Sequence, residues 1–223
     1  MTYIIVFDVN ETLLDLAPVR EWFTERFDDV PDAAAWFSEL LRLSFVSSVI
    51  DRYTPFTELA AAALGTVAGR CETRINDDDL STIRSLLTNL PAHSDASSGL
   101  DRLRSSGFTL AALTNSPQPT AEAQLSNADI SDHFDVIMSV DMVRRFKPHR
   151  SVYRAAAERL GTEPSKLVMV AAHDWDIAGA MAAGADGVFI ERPGQRYSPS
   201  FPEPTITAAN LDIAASEIDE RYS

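Results

Sequence analysis

Five short apolar runs, at 3–7, 108–113, 136–139, 167–171 and 187–190, constrain this chain most. They are β-branched-rich and nearly continuous, the pattern of strands buried on both faces of a parallel sheet. Helical patterns lie between them. The stretch 96–105 ends at Gly107, 119–128 carries Ala and Leu at helical spacing, 151–160 stops at Gly161, and 177–183 stops at Gly184. Strands alternating with helices of this length predict an α/β fold with crossover connections.

The 75 residues from Leu16 to Leu90 break that alternation, because they hold no convincing strand. Their pieces at 18–27, 32–50, 55–69 and 77–90 are amphipathic, with Pro18 and Pro55 near helix starts and Asp32 as an N-cap. So much helix is too long for a simple crossover. The expectation is a core domain from 1–15 and 91–223, with a helical cap subdomain at 16–90 covering the carboxyl edge of the sheet. After Pro193 the chain turns Pro- and Ser-rich, then offers a short strand at 205–208 and a last helix at 211–221.

Charge narrows the partners. Nineteen basic residues against 33 acidic ones leave −14, the wrong sign for nucleic acid or an anionic membrane surface. Lysine occurs only at positions 147 and 166. No apolar run approaches the roughly 18 residues of a membrane span, and Cys71 is the lone cysteine. A cytoplasmic protein with no membrane and no nucleic-acid partner is expected.

In an open α/β sheet, ligands bind beyond the carboxyl ends of the strands. Asp8 follows the first run, Thr114-Asn115-Ser116 the second, and Lys147-Pro148 opens the helix after the third. His173-Asp174-Trp175-Asp176 follows the fourth. A carboxylate, a hydroxyl–amide pair, an ammonium and a second carboxylate thus meet on one rim.

This order resembles the haloacid dehalogenase superfamily, and its wording resembles the L-2-haloacid dehalogenase (type II) branch. The resemblance rests on Phe7-Asp8-Val9-Asn10-Glu11-Thr12-Leu13, Leu113-Thr114-Asn115-Ser116, Phe146-Lys147-Pro148 with Tyr153, and Trp175-Asp176 with Gly179. It implies a Rossmann-like parallel core with an inserted helical cap. It also implies a hydrolase that turns small L-2-haloalkanoic acids into 2-hydroxy acids through an aspartyl ester. Homodimers are common in that branch, which makes a homodimer a candidate assembly.

On that resemblance Asp8 is the nucleophile, kept ionised by Lys147, and Thr12 and Thr114 bind the nucleophile and the substrate carboxylate. Asn115 and backbone amides around it complete an anion site. Tyr153 reaches back toward the same rim. Asn10 is the discriminating residue: phosphatases of the superfamily carry an acid there to protonate an alkoxide, which Asn cannot do and a departing halide does not need. Ala171 and Ala172 stand where the first of an acidic, magnesium-binding pair falls, so no metal and no other cofactor is expected beside Asp176.

Two departures stand out. The cap arginine that cradles halide and substrate in the family is Phe37 here, with Arg20 or Arg42 as candidate substitutes. Ala171, Ala172 and His173 stand where Ser, Ser and Asn are usual. His173 becomes a candidate base for the hydrolytic water, oriented by Glu11 or Glu21, with Asp176 as the rival. Trp22, Trp36, Phe37, Phe45 and Trp175 are candidates for an apolar wall. His93, His133 and His149 show no metal-ligand spacing. The competing readings are a magnesium-dependent phosphatase or phosphonate hydrolase, in which Asp174 would ligate the metal, and a degenerate carboxylate-binding protein.

Overall fold

The structure, a computed structural model, describes residues 3–28 and 30–223. Met1 and Thr2, the start of the strand-like amino terminus, lie outside the described residues. Six strands form one parallel sheet: β1 (Ile4–Phe7), β2 (Thr109–Thr114), β3 (Val136–Ser139), β4 (Leu167–Ala171), β5 (Asp186–Ile190) and β6 (Ile206–Ala208), in the order β3-β2-β1-β4-β5-β6. β1 is central, with Phe7 paired to Ala112 on one side and Val170 on the other. The order reverses across β1, so the crevice at its carboxyl end is the switch point where such sheets bind ligands.

Between β1 and β2 run α1 (Ala17–Phe27), α2 (Ala33–Val49), α3 (Phe56–Arg70), α4 (Asp77–Thr88) and α5 (Ala96–Ser105). The first four form the helical cap. Asp32 caps α2 by accepting from the Ala35 amide at 2.6 Å. Asn76 and Asp79 form a reciprocal capping box on α4. Phe23, Trp36, Leu40, Ala60, Leu64 and Ile83 are buried among these helices, and Arg26 ties α1 to α4 through two hydrogen bonds to Asp79, at 2.7 and 2.9 Å. The cap leaves and rejoins the sheet side by side. The Asp15 amide donates to Pro91 O and the His93 amide to Leu13 O, each at 2.8 Å.

The remaining helices are α6 (Gln118–Asn127), α7 (Arg150–Arg159), α8 (Asp174–Ala183) and α9 (Leu211–Tyr222). Two starts differ from expectation. α8 begins at Asp174 with His173 as its N-cap residue, three residues earlier than the apolar pattern shows. The first turn is polar because it faces the site, so periodicity alone misses it. Lys147 does not open a helix; α7 starts at Arg150 behind His149. Proline restricts the residue before it to extended backbone, which keeps Lys147 in the loop.

Candidate active site

The β1 end delivers Asp8 into the switch-point crevice, where its amide continues the ladder to Val170 O at 3.0 Å. Lys147 Nζ fills the space beside it. The ammonium donates to Asp8 Oδ1, Asp176 Oδ2 and Leu113 O, each at 2.7 Å, and is fully buried. All three protons of the ammonium are thereby used. Thr12 donates to Asp8 Oδ2 at 2.7 Å and accepts from the Ala172 amide at 2.9 Å. Thr12 sits in a turn that the amides of Leu13 and Leu14 close on Val9 O.

Desolvation would raise the Asp8 carboxyl, but Lys147, His173 and Thr12 outweigh it and hold it below the usual aspartate range. Asp176 is pushed up, first by its burial and further by the charge on Asp8, with Lys147 opposing. Burial works against the Lys147 cation, yet the two carboxylates hold its affinity for the proton above that of a free lysine. The net result is a deprotonated nucleophile at neutral pH.

Tyr153 meets the rim at Asp176 and not at the cavity wall. It is buried behind Asp176, donating to Asp176 Oδ1 at 2.5 Å, and does not line the cavity. The reason is α7–α8 packing: a Cβ on Gly179 would lie 2.8 Å from the Tyr153 hydroxyl and 2.4 Å from Pro148 Cβ, so only glycine lets both approach. Thr12, Lys147 and Tyr153 therefore supply a hydrogen bond to each of the four oxygens of Asp8 and Asp176.

That donor set does not fit magnesium, which takes about six oxygens in an octahedron. An ammonium already bridges the two carboxylates, and Ala171 and Ala172 offer no side-chain oxygen. Asp174 accepts from the Trp175 amide at 2.7 Å. Among the described residues no cluster of three or more His, Cys, Asp or Glu could hold a metal ion.

In front of Asp8 lies a tight cavity of about 10 Å³, lined by Asp8, Asn10, Phe37, Leu41, Phe56, Thr114, Asn115, His173 and Trp175. Asn10, Thr114 and Asn115 line it as expected, but protein partners occupy their side-chain acceptors. Asn10 Oδ1 accepts from Gln124 Nε2 at 3.0 Å, Thr114 Oγ1 from the Ser116 amide at 3.1 Å, and Asn115 Oδ1 from the Lys147 amide at 3.0 Å. The Ser116 amide is thus committed within the protein.

Phe37 and Trp175 both stack against the ring of His173. His173 lies 5.9 Å from the Phe37 centroid and 4.9 Å from that of Trp175, at interplanar angles of 24° and 19°. Its Nε2 is 3.8 Å from Asp8 Oδ2 and 3.5 Å from Glu11 Oε2. Phe45 packs edge-on against Trp175, whereas Trp22 and Trp36 pack with Phe23 in the cap. Arg20 and Arg42 do not take over the Phe37 position. Arg20 is paired to Asp15 at 2.7 Å and Arg42 to Glu39 at 2.6 Å, and neither lines the cavity. Glu21 is exposed on α1.

Sequence reasoning missed three supports. Arg192, at the carboxyl end of β5, donates to Thr12 O at 2.8 and 3.1 Å and to Asp95 at 2.8 Å. The strand-end rule points to it as readily as to Asp8. Gln124 on α6 joins Asn10 to Leu87 O on α4, and Ser48 on α2 accepts from the Phe146 amide, one residue before Lys147. These depend on cap–core contact, which no local pattern announces.

A parallel α/β sheet under helices, with an ionised aspartate at its switch point, is an arrangement suited to hydrolysis through a carboxylate nucleophile. Residues 4–184 match the family model described as haloacid dehalogenase-like hydrolase. The (S)-2-haloacid dehalogenase of Pseudomonas sp. (strain YL) is 30% identical over 203 residues, covering 88% of this chain and 87% of that protein. (S)-2-haloacid dehalogenase H-109 of Pseudomonas putida is 27% identical over 209 residues, covering 93% of each. The fold matches L-2-haloacid dehalogenase from Xanthobacter autotrophicus with chloropropionic acid covalently bound, at TM-score 0.90 and 22% identity over 100% of both chains. The chain belongs to the haloacid dehalogenase-like hydrolases, in the L-2-haloacid dehalogenase branch.

Proposed function

We propose that this protein is a hydrolytic (S)-2-haloacid dehalogenase that acts on small L-2-haloalkanoic acids without a metal ion. Asp8 attacks the carbon bearing the halogen from the side opposite the halide, the halide departs, and water cleaves the aspartyl ester. Attack of water at the aspartyl carbon leaves the inverted configuration in the 2-hydroxy acid. Splitting the displacement in two replaces one difficult step with two easier ones.

The observation that carries this reading is the Asp8–Lys147–Asp176 bridge, buried behind the one member, Asp8, that faces the cavity. The ammonium keeps the nucleophile ionised and sets a positive charge beside an anionic substrate. Thr12 and Arg192 fix the turn that aims Asp8, and Tyr153 holds Asp176 against Lys147. The cavity in front of Asp8 is tight, which favours short acids over long ones. Asn10 offers no acidic proton, as a halide leaving group allows.

We read 16–90 as the cap and 1–15 with 91–223 as the core, supported by the paired strands of chain at Asp15–Pro91 and Leu13–His93. Among the described residues no helix is long and apolar enough to cross a membrane.

The test is halide release over chloro-, bromo- and fluoroacetate and both 2-chloropropionate enantiomers, with and without EDTA. Release that persists in chelator and follows the L enantiomer is expected. Collapse in EDTA points to the magnesium-dependent phosphatase reading instead. Single turnover in ¹⁸O-water should place label in the Asp8 peptide.

A further inference from the structure

The ester on Asp8 needs a water activated beside it, and the bridge of Lys147 and Asp176 is poorly placed to do so. Asp176 is fully buried and both its oxygens already accept short hydrogen bonds, from Lys147 and Tyr153. Lys147 holds Oδ1 of Asp8, whereas Nε2 of His173 stands 3.8 Å from Oδ2, its ring stacked against both Phe37 and Trp175.

Glu11 reaches the same nitrogen. Its backbone sits at φ 61°, the left-handed region that glycine enters freely and an ordinary side chain does not. A glutamate held there places its carboxylate 3.5 Å from His173 Nε2 and 3.3 Å from Gln195 Nε2. Glu11, Arg20, Phe37 and Gln195 also line a groove that adjoins the cavity and opens to solvent. Each turnover of a haloacid with water yields a hydroxy acid, a halide and a proton, and that proton must leave a buried centre.

We propose that His173 is the general base for ester hydrolysis and that Glu11 is its positioning residue and the outlet for the proton. The assignment rests on the dehalogenase reading above. As the water oxygen bonds to Asp8 Cγ, His173 Nε2 takes one water proton and the carbonyl electron pair moves to oxygen. When the carbonyl re-forms, the bond from Cγ to the substrate oxygen breaks, and that alkoxide takes the proton from Nε2. Asp8 is left as the carboxylic acid. Its proton passes through His173 to Glu11 and the groove, which restores the carboxylate. Burial raises the proton affinity of Glu11 above that of a free glutamate, which suits a transient acceptor.

The test separates the two half-reactions with bromoacetate. Wild-type protein turns over steadily. His173→Gln is expected to release a single equivalent of bromide and stop, with the adduct accumulating on the Asp8 peptide by mass spectrometry. Loss of a positioned base slows ester cleavage about 10²–10⁴-fold. Imidazole added to His173→Gly should restore turnover. In Glu11→Gln, kcat and KM should fall together with kcat/KM retained, the signature of a slowed second step that a general loss of structure does not give. If His173→Gln does not fold, the Glu11→Gln kinetics and the imidazole rescue decide the matter alone. The assignment is overturned if His173→Gln turns over normally, if it loses bromide release without forming an adduct, or if kcat/KM falls with kcat in Glu11→Gln. A different result, bromide release surviving in Asp8→Asn, would instead overturn the nucleophile reading beneath it.

Discussion

Lys147 carries more of this site than any other side chain. One ammonium, sealed from water, neutralises two carboxylates whose mutual repulsion would otherwise oppose folding. Lys147→Met removes the ammonium that bridges them, so halide release should vanish, and stability should fall by about 3–5 kcal/mol, as when one partner of a buried pair is deleted. Denaturant titration and a halide electrode check the two effects. Asp8, Lys147 and Asp176 were all legible as residues, because each stands at a strand end or beside one in a buried parallel sheet. Tyr153 was legible as a participant but not in its place. Its hydroxyl reaches Asp176 only because α7 and α8 approach closely at Gly179, a three-dimensional fact that local spacing does not contain.

The elements explain how so few residues are held so tightly. β4 has the bounds its apolar run suggests, since a strand buried along its whole length leaves no polar position to blur its ends. The start of α8 was hidden for the opposite reason: its first turn is given to Asp174 and Asp176. Gly179→Ala tests this packing. The added methyl would sit 2.4 Å from Pro148 and 2.8 Å from the Tyr153 hydroxyl, an overpacking that costs about 1–3 kcal/mol. Because Pro148 follows Lys147, the variant should lose kcat as well as melting temperature.

In the cap, burial would raise the Asp79 carboxyl, but hydrogen bonds and charge from Arg26 overcome it and hold the group below its usual value of 3.8. A lowered carboxyl contributes stability above its unfolded pKa and loses it as pH falls through the folded one. Asp79→Asn should therefore destabilise the cap at pH 7 by about 1 kcal/mol and flatten the acid limb below about pH 3.8, read by thermal melts across pH.

At the scale of the whole molecule, a body carrying −14 must admit an anion. Long-range repulsion slows the encounter, and salt screens it over about 8–10 Å at physiological strength. For bromoacetate kcat/KM should rise severalfold between low and moderate ionic strength while kcat stays level. A fall with salt would show that local attraction by Lys147 governs entry instead.

The lysine inventory has a practical side. Lys166 stands over the Tyr3 ring at 4.4 Å and remains partly exposed, whereas Lys147 is walled in. Acylating reagents should tag Lys166 on the native enzyme and spare Lys147, so coupling to a support at that position leaves the reaction centre chemically untouched. Appearance of label at Lys147 would then report opening of the interior, a built-in clock for unfolding.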